Sequence, residues 1–433
     1  MIKLSRKAYV FWRLHGTMAL IRRVRDRAIG NIQQPAGPFS VLPRQPAKSV
    51  AQLTQARFGA LTPLPTYQLP PSAHRRVSLV TDSIGTGSLF GGVGTALIFA
   101  TLLANKLGAD LRIITRTERP QPDNVDHLLR VYGLELQGEI QFKFLPPSDL
   151  SQSIDFLETE LFITTSWWTT AATLAGIPAR LIIYLLQEDE RMFYPFGDDR
   201  LRCETILRNR DIRFVINSRL LFDHLVSAGL PHLQERGWWF EPAFPAQVFH
   251  PRMAGKNSKR KFIFYARPNN LRNLFYLGIE VIEAAIEQRI LDPEEWEIIL
   301  AGKDIPDIVF GDGRVPAKHE NLSWSDYAEL AGSIDLGLCL MYTPHPSYPP
   351  LDLVASGAVV VTNRFANKQD LNHYSPNLIC ADLERDALVV AIRQGVALAM
   401  DPLAREENSQ NHGLCTDWNR SLAEILQHLS GTP

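Results

Sequence analysis

The segment His345–Gly357, HPSYPPLDLVASG, combines residue types that could bind both a phosphate and a sugar hydroxyl. Pro349 and Pro350 suit the first turn of a helix, where a missing N–H leaves no intrahelical bond unmade. We expect the N–H groups of Leu351 and Asp352 to face a ligand, because a helix N-terminus attracts anions. The carboxylate of Asp352, one turn into the helix, could accept a hydroxyl. An ordinary helix cap explains the segment equally well.

Three basic residues follow predicted strands in the second half of the chain. Arg267 and Arg272 come just after the run FIFYA, and Lys303 follows WEIILAG. The carboxyl ends of parallel strands meet at one edge of a sheet, so three cations there favour a diphosphate ligand. Each cation alone is explained as a surface charge, whereas the set indicates a binding site.

A glycine-rich loop, DSIGTGSLFGGVG, lies between the first predicted strand of this pattern and a long helix. It fits the dinucleotide fingerprint poorly, because a leucine or a phenylalanine stands where the third small residue belongs. Gly91 and Gly92 would still let the backbone approach a ligand closely. A tight turn between strand and helix is the simpler interpretation of the loop taken alone.

The segment QEDERMFYPF combines acids with aromatic residues at the end of another predicted strand. Gln187 and Asp189 could bond the hydroxyls of an acceptor sugar, with Tyr194 and Trp167 stacking on its ring. Two alternatives to acceptor binding stay open. The acidic triplet at 188–190 could hold Mg²⁺ or Mn²⁺, although the two-sheet pattern of the chain argues against a metal. The segment could also be a charged loop above packed aromatics.

Short apolar runs alternate with helical patterns from residue 76 onward, which predicts parallel sheets with helices on both faces. A stretch rich in prolines and basic residues, 242–261, separates two such sets. We therefore predict an α/β fold of two doubly wound, Rossmann-like domains, residues 76–250 and 251–405, that face a central cleft. Residues 406–433 are predicted to contain a C-terminal helix long enough to pack on the first domain.

The first 75 residues have a different character. Residues 1–30 carry eight basic side chains and one acid, with apolar residues at helical spacing, which predicts a basic amphipathic helix. That helix could lie on an anionic membrane surface, dock on the protein or form a tail. Residues 31–75 contain eight prolines and are predicted to be extended, as a linker or wrapped over a domain.

Composition excludes several classes of protein. The 433 residues carry a net charge of −1, which argues against a nucleic-acid partner. The four cysteines are far apart and form no CxxC pair, so neither a disulfide framework nor a zinc site is expected. No apolar run has the length of a transmembrane helix, and no signal peptide is evident. A cytoplasmic location is expected, with residues 1–30 as the candidate contact to the inner face of the membrane.

Four segments together resemble a known family: LFGGVGTALIFA, YLLQEDERMFYPF, FYARPNNLRN and LGLCLMYTPHPSYPPLDLVASGAVVVTN. They resemble GT-B fold glycosyltransferases of family 4 and, within them, bacterial rhamnosyltransferases of the WsaF type. The resemblance runs from about Val77 to the end of NLICAD. It implies sugar transfer with retention of configuration and without a metal or other cofactor. It places a nucleotide-sugar donor in the second domain and the acceptor in the first.

The resemblance also implies roles for the basic and acidic residues. Arg267 matches the family's arginine at the diphosphate, and Arg272 lies near the position of its lysine. With Lys303 they are the expected catalytic residues, because they would stabilise the leaving diphosphate. Asp352 matches a glutamate that binds the ribose of the nucleotide.

One position departs from the family pattern. Pro344 stands where the family has the first of its two glutamates, which contacts the donor sugar; Asp352 matches the second. His345, Ser347 and Tyr348 are the expected substitutes. The PHPSYPPL pattern is shared with the most similar members of the family, and it suits a deoxysugar such as rhamnose, which lacks a 6-hydroxyl.

The sequence therefore predicts transfer of L-rhamnose from dTDP-β-L-rhamnose to a glycan or lipid-linked glycan in cell-surface polysaccharide synthesis. Three alternative functions stay open. One is a GT-B nucleotide-sugar epimerase or phosphorylase, and another is a non-catalytic sugar-nucleotide or glycan-binding module of a larger synthase. The third is a nicotinamide-dependent dehydrogenase, against which the misplaced third glycine counts.

Overall fold

The computed structural model describes residues 48–85, 89–251 and 259–431. The chain divides between Arg57 and Phe58 into two units. The basic helix predicted over residues 1–30 lies outside the described residues, and so does any membrane contact it would make. Helix α1, Val50–Arg57, is the described helix of the first unit.

Helix α1 corrects one prediction, because residues 31–75 are not extended throughout. The Ser49 hydroxyl accepts the N–H of Gln52 at 3.2 Å, and the Gln52 side chain accepts the N–H of Ser49 at 2.9 Å. This reciprocal capping favours a helix start. No proline lies between Pro46 and Pro63 to interrupt the helix that follows.

The second unit contains two parallel sheets, each with helices on both faces. The first sheet has seven strands in the order β4-β3-β2-β6-β7-β8-β9. A short parallel pair, β1 with β5, lies outside this sheet. The strands of this half are β1 Thr66–Gln68, β2 Arg76–Thr81, β3 Asp110–Thr115, β4 Ile140–Phe144, β5 Ile154–Phe156, β6 Leu161–Thr164, β7 Ile182–Leu186, β8 Arg213–Asn217 and β9 Gly237–Phe240. The helices between them are α2 Gly94–Leu107, α3 Pro122–Val131, α4 Trp167–Leu174, α5 Asp198–Leu207, α6 Arg219–Ser227 and α7 Leu233–Arg236.

The second sheet has six parallel strands in the order β12-β11-β10-β13-β14-β15. Its strands are β10 Arg260–Ala266, β11 Trp296–Gly302, β12 Ala317–Glu320, β13 Leu336–Cys339, β14 Val359–Asn363 and β15 Leu378–Ala381. The remaining helices are α8 Phe275–Glu287, α9 Trp324–Gly332, α10 Tyr348–Ala355, α11 Arg385–Ala399, α12 Pro402–Gln410 and α13 Trp418–Ser430. Central strands such as β2 and β14 are fully buried, as expected for parallel sheets covered on both faces. The predicted fold of two doubly wound domains is confirmed.

The C-terminal helix α13 belongs to the core of the first domain. Trp418, Leu422 and Ile425 are buried in one cluster with residues of α2 and of the first sheet. The chain returns to the first domain beside its own outgoing segment, where the N–H of Phe244 donates to the carbonyl of Cys415 at 2.7 Å. Two crossings of the chain therefore join the two sheets.

Within the described residues, no single helix is both long enough and apolar enough to cross a membrane. One bent pair, α11 with α12, meets the criteria of length and composition together, with an angle of 94° between the two helices.

Leu422→Ala tests the structural role of α13. Leu422 is fully buried against the first domain, so the cavity left by the substitution should lower the free energy of unfolding by about 2–5 kcal/mol. Leu403→Ala, at a residue of α12 that is 80% exposed, is the control and should change it by less than about 0.5 kcal/mol. Urea unfolding followed by circular dichroism measures both, and equal effects would contradict the packing described.

Candidate functional site

Helix α10 begins one residue before the two prolines. Tyr348 is its first residue, so Leu351 and Asp352 are the fourth and fifth, and their N–H groups belong to the intrahelical ladder. The prediction that these two N–H groups are free is therefore wrong. Leu351 is fully buried in the core of the second domain. The N–H of Ser347 is already donated to His345 Nδ1 at 2.9 Å, which leaves Tyr348 as the first-turn residue able to offer its N–H.

A cavity of about 510 Å³ lies between the two sheets, in front of α10. A cavity of this size is typical of small-molecule sites. Its lining includes residues that follow strand ends in both domains, as expected for doubly wound sheets. The predicted site residues that line it are Gly91, Gly92, Gln187, Arg267, Lys303, His345, Ser347, Tyr348 and Asp352.

Two of the three predicted cations stand side by side at this cavity. Arg267 follows β10 and Lys303 follows β11, and the last residues of these strands, Ala266 and Gly302, are paired in register. A Cβ at Gly302 would lie 1.8 Å from the Ala266 carbonyl oxygen, so only glycine lets the strands end this close together. Both cations are exposed to the cavity.

The third cation, Arg272, is used differently. Its Nη1 lies 2.6 Å from Glu188 Oε2 in the first domain, and its guanidinium carbon lies 4.4 Å from the centre of the Phe193 ring. Thr343 also donates its hydroxyl to Glu188. Arg272 does not line the cavity. The structure therefore brings Arg267 and Lys303 together and places Arg272 in an ion pair between the domains.

Asp352 presents a buried carboxyl to the cavity. The Tyr327 hydroxyl donates to its Oδ2 at 3.1 Å, whereas Oδ1 is buried and has no partner among the described residues. Burial raises the pKa of Asp352 to about 8, because the charged form is poorly solvated. At neutral pH the carboxyl is therefore mostly protonated when no ligand is bound.

His345 presents a hydrogen-bond donor to the same cavity. Its Nδ1 accepts the N–H of Ser347. Burial, helped by the charges of Lys368 and Arg272, lowers the pKa of His345 to about 3, so the ring is neutral. A neutral ring that accepts at Nδ1 carries its proton on Nε2. This Nε2–H is buried, and no residue that the structure describes accepts it.

Tyr348 joins the second domain to the glycine loop of the first. Its hydroxyl lies 2.5 Å from Thr95 Oγ1 and accepts a bond from Asn217 Nδ2 at 2.7 Å. Gly91 has a positive φ of 64°, and a Cβ there would lie 3.4 Å from the Tyr348 ring. Gln187 donates its side-chain amide to the carbonyl of Gly92 at 2.7 Å. The two glycines therefore let the loop approach Tyr348 and Gln187.

Three residues predicted to bind an acceptor lie away from the cavity. The indole N–H of Trp167, a residue of the core, donates to the Tyr194 hydroxyl at 2.9 Å. Burial alone would raise the pKa of Asp189, but hydrogen bonds from His224 and Arg191 lower it to about 2. Because these polar groups are engaged within the domain, the structure argues against a direct acceptor contact for Trp167, Asp189 and Tyr194.

The acidic triplet does not converge on a point. Glu188 faces the second domain, Asp189 faces Arg191, and Glu190 accepts the N–H of Trp167 at 2.8 Å. Burial raises the pKa of Glu190 to about 8. Over residues 48–85, 89–251 and 259–431, no group of three His, Cys, Asp or Glu residues could hold a metal ion.

The sequence patterns did not reveal the aromatic part of the site. Trp324 and Tyr327, on the first turn of α9, line the cavity, and so does Tyr132 of the first domain. The rings of Tyr132 and Trp324 are 5.7 Å apart. The one signal in the sequence was the run SWSD, in which the Ser323 hydroxyl accepts the N–H of Asp326 and so marks the start of the helix.

The fold of the described residues is the GT-B fold of solved glycosyltransferases. HepE of Anabaena, solved with UDP and glucose, superposes with a TM-score of 0.56 at 13% identity, over 82% of this chain and 99% of HepE. WaaG, a glycosyltransferase involved in lipopolysaccharide biosynthesis, gives a TM-score of 0.53 at 10% identity, over 83% of this chain and 100% of WaaG.

Within this class the chain belongs to the WsaF family. The family models for the WsaF N-terminal and C-terminal domains match residues 76–219 and 260–393. The O-antigen biosynthesis protein RfbC of Myxococcus xanthus is 28% identical over 275 residues, which are 63% of this chain and 21% of RfbC. The chain thus matches about a fifth of the length of that relative. The predicted resemblance is confirmed.

Asp352→Asn is expected to stabilise the protein, and more so at pH 9 than at pH 5. The carboxyl ionises near pH 4 when the chain is unfolded but near pH 8 when it is folded. Between these values the folded state holds a proton that the unfolded state has lost, so stability falls as the pH rises. The amide of asparagine does not titrate, so the stability of the variant does not fall with pH in this way.

Thermal unfolding at pH 5, 7 and 9 measures the difference between the variant and the wild type. The midpoint of the variant should exceed that of the wild type by about 2 °C or more at pH 9, and the gap should narrow at pH 5. Asp386→Asn, at an exposed residue of α11, is the control and should show no such trend. A gap that widens toward acid pH would refute the proposed protonation of Asp352.

Proposed function

We propose that the chain transfers L-rhamnose from dTDP-β-L-rhamnose to a glycan or a lipid-linked glycan, with retention of configuration. The observation that carries this proposal is the set of polar groups in one interdomain cavity. Arg267 and Lys303 offer positive charge, while Asp352 and His345 offer polar atoms that no described residue bonds. A nucleoside diphosphate sugar carries the matching groups, namely a diphosphate and several hydroxyls.

In the proposed reaction, the bond between the anomeric carbon and the diphosphate oxygen breaks, and its electron pair stays on the diphosphate. Arg267 and Lys303 stabilise the charge that develops there. The acceptor hydroxyl attacks from the face that the diphosphate leaves, and its proton passes to a diphosphate oxygen. The configuration is then retained without a protein nucleophile. The two cations supply the positive charge, so we propose that no metal takes part.

The choice of rhamnose rests on the residues beside Pro344. A carboxylate that would bind sugar hydroxyls is missing at that position, and the neighbouring His345 is a neutral donor instead. Ser347 also lines the cavity. One donor and one hydroxyl suit a sugar with fewer hydroxyls, such as a 6-deoxyhexose.

The biosynthetic process in which the reaction takes part is proposed from a relative. RfbC of Myxococcus xanthus is named as an O-antigen biosynthesis protein. We propose that this chain likewise acts in the synthesis of a cell-surface polysaccharide. Residues 1–30, with their eight basic side chains, would then bring it to the inner face of the membrane where a lipid-linked acceptor lies.

Arg267→Ala is expected to lower the rate of transfer by about 100-fold or more, because one of the two groups that stabilise the leaving diphosphate is lost. Release of dTDP from dTDP-rhamnose in the presence of EDTA and acceptor measures the rate. Arg385→Ala, at an exposed residue of α11, is the matched control and should keep normal activity. Near-normal turnover in Arg267→Ala would exclude this residue from the diphosphate site.

A thermal-shift panel of dTDP-, UDP- and GDP-sugars tests the donor. We expect dTDP-rhamnose to raise the unfolding temperature more than the other sugars do. A larger shift with a UDP-hexose would overturn the choice of donor.

A second candidate is a non-catalytic sugar-nucleotide-binding module. The specific observation in its favour is Pro344, where the family's sugar-binding glutamate is missing. Such a module would bind dTDP-rhamnose in the thermal-shift panel but release no dTDP with any acceptor.

A further inference from the structure

Tyr327 on α9 forms a hydrogen bond with one of the two carboxyl oxygens of Asp352, a residue that lines the ligand cavity. Its hydroxyl donates to Asp352 Oδ2, so Oδ1 is the oxygen of that carboxyl without a partner in the part of the chain that the structure describes. Tyr327 also lines the cavity, and its ring lies 6.2 Å from that of Trp324 on the same helical turn. The hydroxyl is thus part of the wall that a ligand meets.

The aromatic rings of the cavity indicate which part of a donor lies beside this pair. Along the sheet, the cavity passes from the end of β12, with His319, to β11 and β10, with Lys303 and Arg267. It then reaches the loop after β13, which contains His345. The first turn of α9, the helix that follows β12, adds the rings of Trp324 and Tyr327 to the cavity wall. If the cations hold the diphosphate, these rings suit the planar base, so the nucleoside lies toward Tyr327 and the sugar toward His345.

We propose that Tyr327, by occupying one oxygen of Asp352, makes this site select a nucleoside diphosphate with 2-deoxyribose over one with ribose. The inference rests on the proposed function, since it assumes that a nucleotide sugar occupies the cavity. It adds a residue that determines specificity and that the family resemblance does not assign.

The selection follows from counting hydrogen bonds. A carboxyl with both oxygens available can bind the two neighbouring hydroxyls of ribose at once. Here a second hydroxyl has to share Oδ2 with Tyr327, whereas the single 3-hydroxyl of 2-deoxyribose needs only Oδ1. A ribose 2-hydroxyl enclosed among aromatic rings without a full partner loses its bonds to water. This loss corresponds to a preference of about 10-fold to 100-fold for the deoxy form.

Four nucleotides separate the effect of the sugar from that of the base. They are dTDP, dUDP, UDP and ribothymidine diphosphate, which combine the presence or absence of the 2-hydroxyl with that of the 5-methyl group. Calorimetric titration of the full chain gives a Kd for each. In the wild type, both deoxy forms should bind about 10-fold to 100-fold more tightly than their ribose counterparts, with or without the methyl group.

Tyr327→Phe frees Oδ2 and should bring the ratio of ribose to deoxyribose Kd to within about 3-fold of one, mainly through tighter binding of the ribose forms. Tyr374→Phe is the matched control. The Tyr374 hydroxyl lies 2.5 Å from Glu241 Oε2, and Tyr374 does not line the cavity. Its loss removes a comparable buried contact and should leave the ratio unchanged.

The outcomes distinguish this inference from the proposed function. Binding of the four nucleotides with a wild-type ratio near one, or with a preference that follows the 5-methyl group, overturns the role of Tyr327 alone. A ratio that persists in Tyr327→Phe also overturns it. Failure of all four to bind the folded wild type overturns the nucleotide-sugar function and the inference together. The ratio of ribose to deoxyribose Kd is measured in the wild type and needs no variant. The inference can therefore be overturned even if Tyr327→Phe folds poorly.

Discussion

The hydroxyl of Tyr348 is the contact on which the geometry of the cavity depends. It belongs to the first residue of α10 in the second domain, yet it bonds Thr95 and Asn217 of the first domain. Because the helix starts at this residue, the contact fixes the start of α10 against the glycine loop. It thereby positions His345, three residues before Tyr348, and Asp352, one turn after it. Any ligand in front of the helix meets both domains at a fixed separation.

Charged side chains in the cleft differ in whether the protein neutralises them. Glu188 of the first domain pairs with Arg272 of the second. Arg267 and Lys303 have no acidic partner in the part of the chain that the structure describes. A paired cation contributes little field at a distance, since the opposite charges largely cancel. One ion pair therefore connects the domains, while a separate pair of cations stays available to a diphosphate.

The sequence allowed prediction of the two sheets, because buried parallel strands read as apolar runs between helical patterns. The edge strand β12 was not predicted, because its sequence AKHE has no apolar run. At the site, Arg267 could be placed because it directly follows a strand. The pairing of Arg272 could not, because its partner Glu188 lies 84 residues away. Likewise, nothing local relates Tyr327 to a carboxyl 25 residues later.

Two residues that line the cavity have a buried polar atom without a partner within residues 48–85, 89–251 and 259–431. These atoms are Asp352 Oδ1 and His345 Nε2. Each costs about 1–3 kcal/mol of stability, so folding alone would favour apolar side chains in their place. Both groups are neutral near pH 7, because burial raises one pKa and lowers the other. The imidazole N–H can only donate, whereas a carboxyl bonds a hydroxyl in either protonation state. A ligand with hydroxyls beside both groups would form the hydrogen bonds that these two atoms do not form in the folded protein. The selectivity of the site therefore depends more on the number of hydroxyls a ligand presents than on its total contact area.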